Sequence, residues 1–200
     1  MPSVAIVILA AGESTRMTLL KQLLPIRGRN LLRHTIDQAV ASKAASVSVV
    51  LGADATLIQQ HIGHAKCSVV LNPDWHEGMS TSIRAGISAV PDSLDSAIIS
   101  LCDQPYLSPS VFDALIEKYS TSGKSIVGCE YNGSIGPPVL FSRKHFLELT
   151  SLQGDAGAKR VIGKHEGEVA RVSFPSGSVD LDTPEDYRRF IQEDLGMHRE

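Results

Sequence analysis

The chain has 200 residues, of which 42% are hydrophobic and 20% are charged. This composition is typical of a globular protein and excludes a disordered or fibrous chain, and the length favours a single domain over residues 1–200. The formal net charge of -3 provides no general attraction to nucleic acid or to an anionic membrane. We therefore expect no nucleic-acid partner and no membrane partner.

The first apolar run, Val4 to Ala11, is too short to span a bilayer, and it lacks the basic residues that open a signal peptide. We interpret it as a buried strand and expect a cytoplasmic protein. Cys67, Cys102 and Cys129 are widely spaced, and each lies in or beside an apolar run. This pattern predicts reduced core residues rather than a zinc site or a disulfide framework.

Short β-branched runs then alternate with longer amphipathic stretches, which predicts an α/β protein with a mostly parallel central sheet. The strands predicted in this part of the chain are Val4–Leu9, Ser46–Leu51, Ser68–Leu71 and Ala97–Leu101. The predicted helices are Leu31–Ala44, Ala55–Ile62, Ser80–Val90 and Pro109–Tyr119.

The regularity weakens after the fourth predicted helix. Ser125–Glu130 and Val139–Phe141 are predicted to be strands around a turn from Asn132 to Pro138, and Val169–Ser173 a strand near the sheet edge. A final helix is predicted to begin at Thr183-Pro184-Glu185, which combine a cap, a first-turn proline and an acidic first turn. No linker interrupts the pattern, which agrees with one domain.

A segment rich in small residues directly follows the first strand: Leu9, Ala10, Ala11, Gly12, Glu13, Ser14, Thr15 and Arg16. Small residues allow the backbone to approach a ligand closely, and successive amide groups can surround anionic oxygens. Arg16 and Lys21 add two cations. The segment predicts a triphosphate-binding loop, with a tight turn before a solvated helix start as the alternative.

Three other loop signatures are absent. No G-x-G-x-x-G follows the first strand, so the dinucleotide fingerprint is missing. Gly123-Lys124-Ser125 looks like the end of a P-loop, but Lys118 stands where that motif needs glycine. Gly12 to Arg16 lacks the final glycine of a nucleophile elbow.

Three aspartates are candidate metal ligands. Asp103 follows a predicted strand, and ligands of doubly wound sheets bind outside the carboxyl ends of strands, although a turn aspartate is the alternative. Asp180 and Asp182 project to the same face of an extended segment, so their oxygens can converge on a hard cation such as Mg²⁺. A helix-start role stays open for Asp182.

Six segments together resemble the molybdenum cofactor cytidylyltransferases and their close relatives. They occur in the order of that family and cover nearly the whole chain: Leu9 to Arg16 with Lys21, Asn72 with Gly78 to Gly86, Asp103-Gln104-Pro105, Gly136-Pro137-Pro138, Gly154 to Ala158, and Asp180 to Asp186. The resemblance implies a Rossmann-like nucleotidyltransferase fold, an α/β fold with helices on both faces of the sheet.

The resemblance also implies a role for each segment. Arg16 and Lys21 would bind the triphosphate and stabilise the leaving pyrophosphate, and Asp103 would hold Mg²⁺ together with Asp180 or Asp182. The implied nucleotide-binding residues are Leu9, Ala10, Ala11, Gly12, Ser14, Asn72, Gly78, Met79, Ser80 and Ser82. The implied acceptor-binding residues are Gln104, Pro105, Gly136, Pro137, Pro138, Gly154, Asp155 and Gly157.

The implied reaction is in-line transfer of CMP from CTP to molybdenum-loaded molybdopterin, and a molybdoenzyme is an expected recipient of the product. The base rests on Ala11, because guanosine-using relatives tend to have glycine there, and adenosine stays open. Two alternatives remain: a sugar or polyol phosphate as acceptor, and a chaperone that delivers a nucleotide-bearing cofactor. The chain departs from the family at Thr18, where the family usually has glycine. His76 is a further candidate ligand contact.

Overall fold

The computed structural model describes residues 3–13, 17 and 19–194, and the backbone of residues 195–197. The strands in this part of the chain are β1 (Val4–Leu9), β2 (Pro25–Ile26), β3 (Arg29–Asn30), β4 (Ser46–Leu51), β5 (Ser68–Leu71), β6 (Ser96–Leu101), β7 (Ile126–Tyr131), β8 (Ser134–Ser142) and β9 (Val169–Ser173). The helices are α1 (Leu31–Val40), α2 (Ala55–Ile62), α3 (Met79–Ser88), α4 (Pro109–Ser122), α5 (Phe146–Thr150), α6 (Lys159–Lys164) and α7 (Pro184–Met197).

Seven of these strands form one sheet in the order β5-β4-β1-β6-β8-β7-β9, with β9 at the edge as predicted. The pairs among β5, β4, β1 and β6 are parallel, and so is the pair of β7 with β9. Only β8 runs against its neighbours, β6 and β7. The mostly parallel central sheet predicted from the sequence is confirmed.

The sheet is covered on both faces, because successive residues of a buried strand point to opposite sides. Ile6 and Ile8 of β1 pack in a core with side chains from α1, α2 and α4. Val7 of β1 packs in a second core with side chains from α3, α5 and α6. A third, smaller cluster joins Phe190 of α7 to the short β2–β3 hairpin and to the start of α1.

The turn predicted for Asn132 to Pro138 is wrong. Only Asn132 and Gly133 turn the chain, with φ of 50° and 69°, and β8 already begins at Ser134. An Asn-Gly pair suits such a two-residue hairpin, since both positions need positive φ. The pairing of β7 with β8 skips both prolines: Gly128 pairs with Val139, and the next residue, Cys129, pairs with Gly136. Pro137 and Pro138 therefore form a bulge, where their missing N–H groups cost no ladder hydrogen bond.

Several helix bounds also differ from the predictions. Helix α1 ends at Val40, before the predicted Ala44, because Ala45 already donates its amide to Val4 to begin the next strand pair. Helix α4 instead runs past Tyr119 to Ser122, where Gly123 closes it in the left-handed conformation. Helices α5 and α6 and the β2–β3 hairpin are too short for a periodic signal and were not predicted.

The three cysteines are free thiols, as predicted. Cys102 and Cys129 are buried, and Cys67 is half-buried. Burial, followed by the charge of the neighbouring Asp103, raises the pKa of Cys102 to about 12, so this thiol stays protonated near neutral pH. Within the described residues, no helix combines the length and apolarity that crossing a membrane requires.

Candidate active site

Two loops meet at one edge of the sheet because their strands are neighbours. Strands β1 and β6 pair in parallel with Leu9 opposite Leu101, so the small-residue loop after β1 and the Asp103 loop after β6 emerge side by side. Lys21 lies in a short 3₁₀ turn after the first loop. Its Nζ is 2.8 Å from Oδ2 of Asp103 and 3.1 Å from Oδ1 of Asp182. The structure thus joins three predicted residues from distant parts of the chain.

Backbone contacts bring the Asp180–Asp182 segment to this place. The amide of Leu181 donates to the carbonyl oxygen of Asp103 at 2.9 Å, and the side chain of Leu181 is fully buried. The following helix, α7, is capped by Thr183, whose hydroxyl oxygen accepts from the amide of Asp186 at 3.2 Å and donates to the Asp186 carboxylate. Thr183 therefore takes the helix-start role that the sequence left open for Asp182.

The described residues of the cluster carry more negative than positive charge. Burial by itself would lower the pKa of Lys21, but the neighbouring carboxylates, chiefly Asp103, outweigh it and raise that pKa. Loss of hydration, followed by the charges of Asp103 and Asp182, raises the pKa of Asp180 to about 6. In the described part of the chain, the side chains of three aspartates thus surround one lysine ammonium group. One oxygen of Asp103, Oδ1, is buried and makes no hydrogen bond within the described part of the chain.

The raised pKa of Asp180 gives a stability prediction for Asp180→Asn in metal-free buffer. Well below the ordinary aspartate pKa the folded and unfolded states both hold the proton, so the variant should match the wild type. As the pH rises from there to about 6, the unfolded state ionises while the folded state keeps its proton, so the wild type loses stability, and above about 6 the loss is complete. At pH 8 the variant should unfold at higher urea concentration, by less than about 1 kcal/mol since the side chain is exposed. Equal midpoints at pH 8 would contradict the prediction.

A cavity of about 470 Å³ lies in front of the first loop and Asp103. Seven of the predicted nucleotide-binding residues line it: Leu9, Ala10, Ala11, Gly12, Gly78, Met79 and Ser82. Trp75 and His76 line it too. The sequence had marked His76 as a candidate contact and had given Trp75 no role. We call this space the first cavity.

Two predicted nucleotide-binding residues lie behind the wall of the first cavity. Asn72 is buried, and its amide group donates to the hydroxyls of Thr81 at 2.8 Å and Ser82 at 3.0 Å. Ser80 is fully buried, and its backbone amide donates to the carbonyl of Gly154. Both residues therefore hold the start of α3 in place. Ser14 and Arg16, as well as the departure at Thr18, lie outside the described residues.

Gln22 fixes the shape of the first loop, a role that no sequence signal indicated. It is buried, and its Nε2 donates to the carbonyl of Ala10 at 3.1 Å and of Gly12 at 3.0 Å. Gln22→Leu keeps the volume but removes both hydrogen bonds. Since losing a buried hydrogen bond costs about 1–3 kcal/mol, we expect kcat/KM for the nucleotide to fall roughly tenfold.

Steady-state kinetics with the nucleotide varied checks the Gln22 prediction, and thermal unfolding shows whether the variant is folded. Gln60→Leu is the matched control, because Gln60 is exposed on α2. A folded Gln22→Leu variant with kinetics like those of Gln60→Leu would exclude a role for Gln22 in positioning the loop.

Gly78 brings a segment predicted to bind the nucleotide close to one predicted to bind the acceptor. Its φ is +110°, and a Cβ there would lie 2.6 Å from the carbonyl group of Gly154 and 2.7 Å from Oδ1 of Asp155. Only glycine permits this approach. The start of α3 is thus packed directly against the loop between α5 and α6.

A second cavity, of about 400 Å³, adjoins the first and shares Leu9, Met79, Leu101 and Asp155 with it. The predicted acceptor residues that line this second cavity are Gln104, Gly136, Pro137, Asp155 and Gly157. Pro105, Pro138 and Gly154 are not among its lining residues. Asp180 faces this second cavity, whereas Asp103 and Lys21 face the first. The carboxylate cluster therefore lies where the two cavities join.

The proline bulge of β8 shapes the second cavity. Gln104 is buried, and its Nε2 donates to the carbonyls of Pro137 at 3.2 Å and Gly177 at 2.8 Å. Tyr131, which the sequence did not single out, donates its hydroxyl to the same Pro137 carbonyl at 3.1 Å. Its oxygen would be 2.0 Å from a Cβ at Gly136, so glycine is needed there. Burial and the charge of Asp180 raise the pKa of Tyr131 to about 12.

With this geometry in place, the comparisons with known proteins are informative. Residues 6–169 match the MobA-like NTP transferase domain, and the chain belongs to that family. The family resemblance and the nucleotidyltransferase fold predicted from the sequence are confirmed. The class of protein is therefore a nucleotidyltransferase.

Three curated relatives cover nearly the whole chain. The chain is 31% identical to the purine catabolism protein PucB of Bacillus subtilis strain 168, over 90% of this chain and 92% of the relative. It is 29% identical to the nicotine blue oxidoreductase of Paenarthrobacter nicotinovorans, over 96% and 98%. It is 22% identical to the molybdenum cofactor cytidylyltransferase of Escherichia coli strain K12, over 94% and 95%.

Among solved structures, Rv0371c of Mycobacterium tuberculosis H37Rv is similar with a TM-score of 0.85 and 29% identity, over 96% of this chain and 98% of that one. A second structure of Rv0371c is a complex with manganese, with a TM-score of 0.81.

Proposed function

We propose that this protein transfers CMP from CTP to molybdenum-loaded molybdopterin in a reaction that depends on Mg²⁺ and releases pyrophosphate. The single observation that carries the proposal is the position of the Lys21, Asp103 and Asp182 cluster, with Asp180 beside it, at the junction of two cavities. A transferase needs its charged groups between two bound substrates, because the bond forms and breaks there.

The carboxylates fit a divalent metal. Among the described residues, three aspartates and one lysine leave an excess of two negative charges, and the carboxylates offer oxygen ligands, which Mg²⁺ and Mn²⁺ prefer. The buried Oδ1 of Asp103 lacks a hydrogen bond in the described structure, as expected of an atom that accepts a cation instead. Such a cation, when bound, would neutralise phosphate charge and polarise the α-phosphate. The manganese complex of Rv0371c supports metal use in this fold.

The residues of the chain supply position and charge. The amide groups of the first loop, held by Gln22, would surround the triphosphate. The ammonium of Lys21, kept protonated by its carboxylate neighbours, would stabilise the negative charge that develops on the leaving pyrophosphate. Arg16 remains the second proposed cation for this role. No side chain needs to form a covalent bond to the nucleotide.

The second cavity supports an acceptor with a flat heteroaromatic ring system, whose faces can pack on apolar side chains while its edges make hydrogen bonds. Its walls combine Ile83, Ile99 and Val139 with the polar groups of Tyr131 and Gln104. Lys159 also borders it and could pair with a phosphate of the acceptor. This combination agrees with a phosphorylated pterin better than with a polyol phosphate, which would need more hydrogen-bonding groups along the walls.

The test is a pyrophosphate-release assay with each of the four nucleoside triphosphates, Mg²⁺ and molybdenum-loaded molybdopterin. We expect release with CTP, and none when a sugar or polyol phosphate replaces the pterin. Release with GTP or ATP alone would refute the cytidine assignment but keep the acceptor. Tight binding of the finished dinucleotide cofactor without any release would instead establish a chaperone that hands the cofactor to a molybdoenzyme.

A further inference from the structure

A second group of metal-ligating side chains lies outside the active site. His145, Glu148 and His165 each place one ligand atom within 4.8 Å of the others. Nε2 of His165 is 2.8 Å from Oε2 of Glu148, and the two imidazole rings are 4.7 Å apart between centroids. Neither histidine plays a part in the proposed nucleotidyl transfer. We call these three residues the His-Glu-His cluster.

The fold separates the His-Glu-His cluster from the carboxylates at the active site. Ser142 at the end of β8 pairs with Ser96, the first residue of β6. His145 follows Ser142 by three residues and therefore lies near the amino end of β6. Asp103 lies beyond the carboxyl end of the same strand. The length of β6 alone puts roughly 15 Å between the two groups. A cation at one group therefore does not occupy the other.

Neighbouring side chains hold the ligands in position, as in metal sites where surrounding residues orient the ligands. Ser125 Oγ is 2.8 Å from Nε2 of His145, and Ser125 also donates to Glu168. Lys164 Nζ is 2.6 Å from Oε1 of Glu148, which leaves Oε2 directed at His165. His145 is buried, while Glu148 and His165 are partly exposed and give a cation access from solvent.

We propose that the His-Glu-His cluster is a binding site for a late first-row divalent cation of the Zn²⁺ class. Two imidazole nitrogens and one carboxylate oxygen are a ligand set that Zn²⁺ takes in proteins, with a fourth position left for water. Hard cations such as Mg²⁺ prefer oxygen alone, so the two metal sites of the protein would select different ions.

The cation would join the two ends of a segment made of one loop and helix α6. His145 and Glu148 precede the loop, residues 151–158, and His165 directly follows α6. That loop carries Asp155, which lines both cavities, and Gly154, whose carbonyl accepts from the amide of Ser80. Metal binding would therefore restrain the loop from its base, far from the carboxylates, and stabilise the fold by binding the native state alone.

The experiment is a titration of the metal-stripped full chain with Co²⁺, followed by its visible absorption, and with Zn²⁺, followed by thermal unfolding. The wild type should show absorption bands of cobalt bound to imidazole, a higher unfolding temperature with Zn²⁺, and slower amide exchange over residues 151–158. His165→Gln should weaken Co²⁺ affinity at least about tenfold and abolish the Zn²⁺-dependent rise.

Three further variants provide a second test of the ligands and two controls. Glu148→Gln should lose the same signals, and it replaces His165→Gln if that variant fails to fold. His64→Gln changes an exposed histidine in the loop after α2 and should behave as the wild type. Asp103→Asn should keep the cobalt spectrum, because it alters only the active-site carboxylates. Equal Co²⁺ affinity in the wild type and in a folded His165→Gln variant, or loss of the spectrum in Asp103→Asn, would overturn the proposal.

Discussion

Asp103→Asn should lower kcat about 100- to 1000-fold while the protein stays folded, because the change removes charge from the point where bonds are made and broken. The asparagine has the same shape, so the backbone hydrogen bond from Leu181 to residue 103 is retained. What disappears is the carboxylate that binds Lys21 and, as proposed, the metal. Pyrophosphate release at saturating CTP and Mg²⁺ measures the effect.

The control for this prediction is Asp92→Asn. Asp92 is fully exposed at the opposite edge of the sheet, where it pairs only loosely with Arg143 at 3.4 Å. Its variant should keep wild-type turnover. Circular dichroism and thermal unfolding should show both variants folded. If folded Asp103→Asn turned over at a near-normal rate in saturating Mg²⁺, Asp103 would have no place in the mechanism.

Lys21→Met has the second largest expected effect. The substitution keeps most of the apolar stem but removes the ammonium that lies between Asp103 and Asp182. The remaining carboxylates then repel each other and the triphosphate, so we expect kcat to fall about 100-fold. The pKa of Asp180 should rise further above 6, because Lys21 is one of the groups that lowers it.

A pH profile separates this explanation from simple misfolding. In Lys21→Met the acidic limb of the kcat profile should move to higher pH, since the carboxylates then hold their protons more strongly. The exposed Lys118 of α4 provides the control variant, Lys118→Met, which should leave both the rate and the profile unchanged. A Lys21→Met variant with the wild-type profile and rate would show that the ammonium plays no part in turnover.

The sequence predicted the sheet well because the signal there is local. A parallel strand of this sheet is a short apolar run, and β1, β4 and β5 begin and end at the predicted residues. The sequence-based predictions fail where the local structure depends on a contact between residues that are far apart in the chain. The turn at Asn132 was extended to Pro138, because prolines usually mark turns and only pairing with β7 reveals that Pro137 and Pro138 form a bulge.

The residues of the candidate site likewise fall into those that the sequence identified and those that only the structure revealed. Lys21, Asp103 and Asp182 were identifiable because charged residues beside apolar strands are conspicuous, and the family resemblance placed them in order. No sequence pattern identifies Gln22 or Tyr131, since a glutamine in a short turn or a tyrosine in a strand is common. Their roles come from hydrogen bonds to carbonyls of Ala10, Gly12 and Pro137, which no pattern of side chains encodes.

By itself, then, the sequence determined the class of fold and the family and indicated the carboxylates that we propose for its chemistry, because apolar periodicity and short motifs depend on neighbouring residues. Only the tertiary structure decided that Lys21 bridges Asp103 and Asp182, that two cavities join at Asp155, and that His145 and His165 meet Glu148 at the other edge of the sheet. These contacts join residues far apart in the chain, and their distances follow from strand order and register rather than from local preference.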